Sequence, residues 1–125
     1  MSSILDDVKH MLGLLPAETA FDIDVTIHIN TVFTTLKQLG VGPPEGFFIE
    51  DNTADWSEFI PDERLNGVKS YMFLRVKSIF DPPATGFTQA AMERQILELE
   101  WRLRLEAEEQ VLSPLEPIII DGGGV

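Results

Sequence analysis

The sequence contains no cysteine, and only nine of its 125 residues are lysine or arginine. Without thiols there are no disulfides and no thiolate metal sites, which fits a cytoplasmic origin. The few cations stand against 21 aspartates and glutamates, so the formal net charge is −12 at pH 7. Because proteins that bind nucleic acid normally present a basic face, tight binding of phosphate groups is not expected.

Long hydrophobic runs are also missing. No stretch approaches the length needed to span a bilayer, so we expect no membrane partner. The opening residues, MSSILDDVKHMLG, place acids where a signal peptide would need a basic start. With 44% hydrophobic and 24% charged residues, the composition is that of one globular domain with a core of its own.

Catalytic and metal-binding patterns are lacking as well. The two histidines, His10 and His28, have no ligand-like spacing to another candidate ligand. Asp22 and Asp24 stand at a predicted helix start, where capping explains them better than catalysis does. The glycines of residues 122–124 are not followed by the lysine of a phosphate-binding loop. We therefore expect no enzyme, no cofactor and no metal site.

Breaker residues divide the chain into four candidate helices, which predict a mainly α fold built as a small four-helix bundle. The first helix runs from about Ser3 to Leu12, with Ser3 as its N-cap and Gly13 as its stop. The third runs from about Asp62 to Phe80. It is apolar nearly all round, so we expect it at the centre of the bundle.

The second segment is ambiguous at its start. Apolar and polar residues alternate strictly from Phe21 to Ile29, which is typical of a strand. Helical spacing extends through Val25, Ile29, Val32, Phe33, Leu36 and Leu39. With Thr19 as a cap and Gly40 as a stop, we favour a helix over the whole segment.

A segment rich in glycine, proline, aspartate and asparagine follows, from Val41 to Pro61. It predicts a long loop, in which Phe47–Ile49 and the region of Trp56 could pair as a short hairpin. A loop of this length within a compact domain is usually functional.

The fourth helix, from about Phe87 to Val111, has two apolar faces. At about 100° of rotation per residue, one face carries Met92, Ile96, Leu99 and Leu103. The opposite face carries Phe87, Ala90, Leu97, Trp101 and Leu105. One face packs on the chain's own helices, and the other is covered either by the same chain or by a neighbouring subunit. Tryptophan in the middle of such a stripe is a residue type enriched in interface hot spots.

The chain closes with LEPIIIDGGGV, in which three isoleucines stand between breaker residues. This pattern predicts a β-strand in an extended arm, residues 113–125, beyond a helical domain of residues 1–112. A lone strand is not stable by itself. The alternatives are addition to a sheet of another chain, a strap along its own domain, or disorder.

Several segments occur in a distinctive order: LKQLGVGP, FFIEDNTADWSEF, LNGVKSYMFLRVKSIFDPP and AAMERQILELEWRL. Together they resemble the head–tail connector, or adaptor, proteins of long-tailed bacteriophages, over about residues 4–105. The resemblance implies a small helical bundle that forms a ring, often a dodecamer, beneath the portal protein at one capsid vertex. Such a ring extends the DNA channel without binding DNA specifically, and it contacts the next neck or tail protein. The resemblance also implies no cofactor and no catalysis, assembly in the host cytoplasm, and a place in the virion neck.

The resemblance gives the two apolar segments a function. We expect the subunit interface to include Phe87, Leu97, Trp101 and Leu105. The resemblance implies a C-terminal segment that can reach out and engage the portal. We expect the portal to be bound by Pro117, Ile118, Ile119 and Ile120, which would add a strand to one of its sheets. The acidity would keep passing DNA from adhering to the channel.

Two rival interpretations remain. One is a small acidic helical module that regulates or binds another protein through the same fourth helix. The other is a helical DNA-binding regulator, which the negative charge opposes.

Overall fold

The computed structural model describes residues 3–60 and 65–112, and this part of the chain forms helices joined by loops. The helices are α1 (Ile4–Met11), α2 (Asp22–Gln38), α3 (Trp56–Phe59), α4 (Leu65–Phe80) and α5 (Gly86–Leu112). Over these two ranges the only β pairing is an isolated antiparallel bridge between Ser3 and Asp55. The predicted mainly α bundle is confirmed. The strand predicted at residues 118–120, and the first residues of the predicted third helix, lie outside the described ranges.

Helix α1 begins and ends where its sequence signals predict. The Ser3 hydroxyl oxygen accepts a hydrogen bond from the Asp6 N–H at 3.2 Å. At the other end Gly13 adopts a φ of 85°. The Leu14 N–H then donates to the Lys9 carbonyl at 2.8 Å, which is the long bond of a Schellman motif. Both predicted ends are therefore confirmed.

Helix α2 begins later than the sequence predicts, and Thr19 is not its cap. The helix starts at Asp22 after Phe21, which makes no side-chain capping bond. The first turn is held instead by an ion pair of 2.8 Å between the Asp22 carboxylate and the Lys9 Nζ, which is buried beneath it. The predicted stop at Gly40 is confirmed, with a φ of 87° there.

Helix α4 occupies the middle of the fold, as predicted. Helix α4 packs on α5, on α2 and on α1. Its fully buried side chains are Val68, Tyr71, Met72 and Val76. On α2 the core side chains are Val25, Ile29, Val32, Phe33 and Leu36. From Asp22 onward the helix is thus favoured over the strand, because this spacing buries a continuous α2 stripe against α4.

The long loop packs against the bundle by means of one asparagine. The Asn30 side chain donates from its Nδ2 to the Ile49 carbonyl at 2.9 Å, and its Oδ1 accepts from the Ile49 N–H at 2.8 Å. Asn30 thereby satisfies both backbone hydrogen-bonding groups of Ile49. Phe47 and Phe59 pack on Phe33 of α2, with ring centroids 5.0 and 4.7 Å away.

The hairpin considered for this loop is absent, and a short helix stands in its place. Asp55 and Glu58 form a capping box that opens α3 directly at Trp56. The Trp56 ring is buried, and its Nε1–H donates to the Asp7 carboxylate at 2.8 Å. A helical turn is preferred here because it brings Trp56 and Phe59 together into the core.

Candidate assembly surfaces

Helix α5 places its two apolar faces in different environments. Ile96, Leu103 and Ala107 are buried against the rest of the domain, and Met92 and Leu99 pack beside them. The opposite face, which we call the outer face of α5, is open to solvent. Its exposed fractions are 83% for Phe87, 64% for Leu97, 61% for Trp101 and 39% for Leu105.

A polar cluster between α4 and α5 fixes which side of α5 points inward. The Tyr71 hydroxyl donates to the Glu100 carboxylate at 2.6 Å, and the Arg75 guanidinium reaches the same oxygen at 3.1 Å. Burial, and next the hydrogen bond to Glu100, raise the pKa of Tyr71 well above its ordinary value. The phenol therefore stays protonated and remains a donor. Because Tyr71 and Arg75 of α4 bind Glu100 of α5, α5 cannot rotate to bury Trp101 without breaking these bonds.

Charged side chains border the outer face of α5. On an ideal helix the charged residues within about 60° of Trp101 are two arginines and two glutamates, all exposed: Arg94, Arg104, Glu98 and Glu108. Glu98 and Arg102 form an exposed i,i+4 ion pair of 2.6 Å, which contributes a few tenths of a kcal/mol. The outer face is thus an apolar stripe bordered by arginine as well as glutamate, in a chain that is strongly acidic as a whole.

A second exposed apolar surface lies on the first turns of α2, and we call it the α2 groove. Ile23 is 75% exposed and Ile27 is 56% exposed. Together with residues of the long loop they line an open depression of about 420 Å³. Its lining residues are Leu5, Asp22, Ile23, Thr26, Ile27, Glu50, Asp51 and Asn52. Every ionisable residue in that lining is acidic.

A third depression of about 410 Å³ lies between α1, α3 and α4. Its lining includes Trp56, Met11, Phe73 and Leu74. Lys69 stands at its edge, 3.9 Å from the Asp7 carboxylate and over the Trp56 ring. This surface therefore combines apolar side chains with one long ion pair, between Lys69 and Asp7.

A comparison with protein-family models identifies a match over residues 4–110, to the model described as phage connector protein. The chain belongs to the phage connector protein family. The match takes in α1 through nearly all of α5, so the whole bundle carries the resemblance and not one motif. No curated protein and no solved structure matches the chain.

Membership makes this connector a structural protein of the bacteriophage virion, at the junction of head and tail. It confirms the resemblance drawn from the ordered sequence segments. Among residues 3–60 and 65–112 no helix is both long enough and apolar enough to cross a membrane.

The connector structure brings the four predicted interface residues of α5 onto one exposed face. The predicted portal-binding residues, Pro117 and Ile118–Ile120, lie outside the described ranges. Neither histidine joins a ligand cluster: within those ranges no group of three or more histidine, cysteine or acidic side chains could hold a metal ion. His28 instead packs edge-on against Phe80, with ring centroids 6.5 Å apart.

Ile23 and Ile27 were not among the predicted site residues. Their signal was nonetheless present in the strict alternation from Phe21 to Ile29. Alternation within a helix spreads apolar residues over more than one face, because the helical period is about 3.6 and not 2. The pattern that suggested a strand therefore indicates a helix with a second group of apolar residues, Ile23 and Ile27, outside the core.

Proposed function

We propose that this connector assembles into a ring beneath the portal protein, extends the DNA channel and joins the capsid vertex to the next neck or tail protein. The observation that carries the proposal is the outer face of α5. It presents Leu97, Trp101 and Leu105 to solvent on a helix whose other face is already committed to the core.

The size of the exposed stripe supports a contact between subunits. A tryptophan side chain buries up to about 250 Å², and 61% of Trp101 is still exposed, so roughly 150 Å² remain to be covered. At ~25 cal/mol per Å² this burial would supply up to about 4 kcal/mol of hydrophobic transfer free energy to each contact, before the entropic costs of association are subtracted. Leu97 and Phe87 add further apolar area along the same stripe, and a ring repeats the gain at every subunit boundary.

The net charge of −12 supports a role beside DNA that does not involve binding it. Like charges repel over a Debye length of about 8 Å at physiological salt, so an acidic channel wall would let the genome pass without adhering. Charge reversal at acids that face the channel should slow DNA ejection or trap DNA, and unchanged ejection would remove this part of the proposal.

The C-terminal arm, residues 113–125, is the second contact in the proposal. Ile118, Ile119 and Ile120 would add as an edge strand to a sheet of the portal protein, where the backbone supplies affinity and alternate side chains supply fit. Pro114 and Pro117 favour an extended approach to that strand.

The ring contact is tested by a matched pair of substitutions on one helix. Trp101→Ala should leave the unfolding free energy nearly unchanged and abolish ring formation on purified portals, as seen by electron microscopy. Leu103→Ala, two residues away but buried, should instead cost about 2–5 kcal/mol of stability. Rings that form normally with Trp101→Ala, or a Trp101→Ala monomer that melts like the Leu103 variant, would contradict the proposal.

The arm is tested by truncation before Pro117. The shortened connector should keep the melting temperature of the full chain and lose affinity for portals in a sedimentation or pull-down assay. A control in which Ile118–Ile120 are replaced by serine keeps the length and removes the apolar side chains. Normal decoration of portals by both variants would show that the arm is not the portal contact.

A further inference from the structure

The charges on the outer face of α5 reverse their sign about Trp101. Arg94 stands seven positions before Trp101, and Glu108 stands seven positions after it. Glu98 precedes Trp101 by three positions, and Arg104 follows it by three. All four charged residues are exposed. Each of them thus has a counterpart of opposite charge at the same distance on the other side of Trp101.

A second copy of this helix fits the pattern when it runs in the opposite direction. In an antiparallel pair whose two-fold axis passes beside Trp101, residues equally far from Trp101 on its two sides lie at the same height, because each residue rises by about 1.5 Å. Arg94 then lies at the height of Glu108 of the second copy. Glu98 lies at the height of Arg104 of the second copy. The two-fold axis repeats both pairs, so the contact contains four matched charge pairs.

The leucines of the outer face have the same symmetry. Leu97 lies four positions before Trp101 and Leu105 four positions after it, and both are exposed. In the antiparallel pair Leu97 therefore lies at the height of Leu105 of the second copy, on each side of the two Trp101 rings. The middle of the contact is apolar and its charges lie toward the edges and the ends, which is the arrangement of a stable interface.

The angular positions bring both kinds of charge pair within reach. On an ideal helix Arg94 and Glu108 lie about 20° to either side of the centre line of the face, so they face one another across the pair. Glu98 and Arg104 lie about 60° to either side, and the long arginine side chain spans the gap between the two edges. Glu98 also binds Arg102 of its own helix at 2.6 Å. A carboxylate has enough acceptor sites for both arginines.

A parallel pair of the same helices is opposed by the same charges. Parallel helices place every residue at the height of its own copy, so Arg94 would meet Arg94 and Glu108 would meet Glu108. Like charges that face one another at an interface are unfavourable. The order of charges therefore selects the antiparallel arrangement.

The two depressions of the domain fit the outer face less well. The ionisable residues that line the α2 groove are all acidic, so they would repel Glu98 and Glu108 as strongly as they attract the arginines. In the depression between α1, α3 and α4, Lys69 and Asp7 lie 3.9 Å apart. One base and one acid at a single place do not match charges that are spread along a helix.

We propose that two free connectors pair through the outer faces of α5, antiparallel and two-fold symmetric about Trp101. The partner that covers this face is thus a second copy of the chain. Because a two-fold contact is closed at two copies, it cannot by itself extend into a ring. The dimer is therefore the form before assembly, and it keeps the outer face covered until the portal separates the two copies. This last step rests on the ring proposed above, whereas the pairing itself does not.

Charge reversal tests the pairing on the full chain in the absence of portals. Arg94→Glu places two acids opposite one another at both ends of the dimer, and Glu108→Arg places two bases there. Each variant alone should dimerise about 4- to 25-fold more weakly than the parent, since an exposed charge pair contributes about two- to fivefold and the dimer contains each pair twice. Sedimentation velocity measures the dissociation constants.

An equal mixture of the two variants is the decisive sample. A dimer with one copy of each variant has opposite charges at both ends, so the mixture should dimerise about as tightly as the parent. Contacts within each helix are the same in the mixture as in the separate variants, and they cannot produce the recovery. A mixture that dimerises as weakly as either variant alone would overturn the pairing.

Single-cysteine variants test the direction of the helices, because the natural sequence has no thiol. Leu97→Cys and Leu105→Cys carry tags of different size, and a short bifunctional maleimide is added to their mixture. We expect a crosslinked product with one copy of each. Leu97→Cys alone should crosslink poorly, because its two copies lie eight positions, or about 12 Å, apart along the antiparallel helices.

The matched control is Glu106→Cys, which is exposed and adjacent to Leu105 but lies about 140° from Trp101 around the helix. Mixed with Leu97→Cys, it should give only background. Crosslinking of Leu97→Cys with itself at or above the level of the Leu97 and Leu105 mixture would indicate parallel helices and overturn the proposal. A Leu97 and Leu105 mixture no better than the control would overturn it too.

The dimer and the ring fail separately. A connector that sediments as a monomer at every concentration, and still forms rings on portals, would overturn the dimer and leave the proposed function intact. A connector that gives the mixed crosslink but never decorates portals would support the pairing and overturn the ring.

Discussion

Asn30 ties the long loop to α2, and replacing it with alanine should destabilise the connector by about 2–4 kcal/mol. The variant loses two hydrogen bonds to the Ile49 backbone, of 2.9 and 2.8 Å. Each is worth about 1 kcal/mol net, and a buried backbone group left without a partner costs about 1–3 kcal/mol more. Ile49 is 3% exposed, but Asn30 is only half-buried, so water offsets part of that penalty.

Urea unfolding measures the effect. With a slope of about 1.5 kcal/mol/M for a domain of this size, the midpoint should fall by about 1.3–2.7 M. Trp56 is buried at the end of the same loop and reports its release by fluorescence. A Trp101→Phe background removes the exposed second tryptophan from the signal.

Two further variants sharpen the test of the Asn30 clamp. Gln38→Ala changes an exposed residue of the same helix and should stay within about 0.5 kcal/mol of the parent. Asn30→Asp keeps the acceptor for the Ile49 N–H but turns a second oxygen toward the Ile49 carbonyl. The loss of stability of Asn30→Asp relative to the parent should become smaller when the pH is lowered below about 4, because a protonated carboxyl can donate a hydrogen bond to the Ile49 carbonyl. If Asn30→Ala were as stable as Gln38→Ala, the loop would be held by something other than this clamp.

Two other predictions concern stability. The pKa of Tyr71 is raised, so the stability that its neutral phenol contributes is complete below the ordinary value of about 10 and is lost as the pH rises through the folded-state pKa. Because Tyr71 is the only tyrosine, the tyrosinate absorbance should appear at higher pH in the folded protein than in the urea-unfolded protein. Coincident titration curves would refute the shift. Gly42→Ala should cost more stability than Gly13→Ala in thermal melts: both glycines have positive φ, but an added Cβ at Gly42 would collide with the buried Phe59 ring whereas at Gly13 it meets open space. Equal losses at the two glycines would show that only backbone strain matters.

Helix ends were predictable wherever the signal and its hydrogen bond lie within one turn. Ser3 caps α1 through a residue three positions away, and Gly13 and Gly40 end helices through bonds to the preceding turn. Such contacts depend on local sequence alone. The tertiary position of the helix hardly changes them.

The failures involve partners that are distant in the sequence. Thr19 looked like a cap, but the start of α2 is set by Asp22 and the buried Lys9 on α1. Asn30 and Ile49 are separated by 19 positions, and no local pattern relates them. The Asp55-to-Glu58 capping box was present in the sequence, yet a helix of four residues has no apolar period to reveal it.

The same distinction between local and distant contacts decides which candidate surface could be predicted. The exposed stripe around Trp101 could be predicted because α5 is long enough for its two apolar faces to be distinguished by rotation. The α2 groove could not, because its acidic rim comes from Glu50 and Asp51 on the loop that Asn30 folds against α2. Only the folded chain brings that rim beside Ile23 and Ile27.

The side chains that hold α5 in place are not the ones it displays. Ile96, Leu103 and Glu100 secure the helix from within, while Leu97 and Trp101 stand on the far side. Substitutions that accumulate on the outer face of α5 should therefore change the folding stability of the protomer very little. If the proposed ring contact holds, a phage lineage can in this way adapt that contact in small steps, without passing through unstable intermediates.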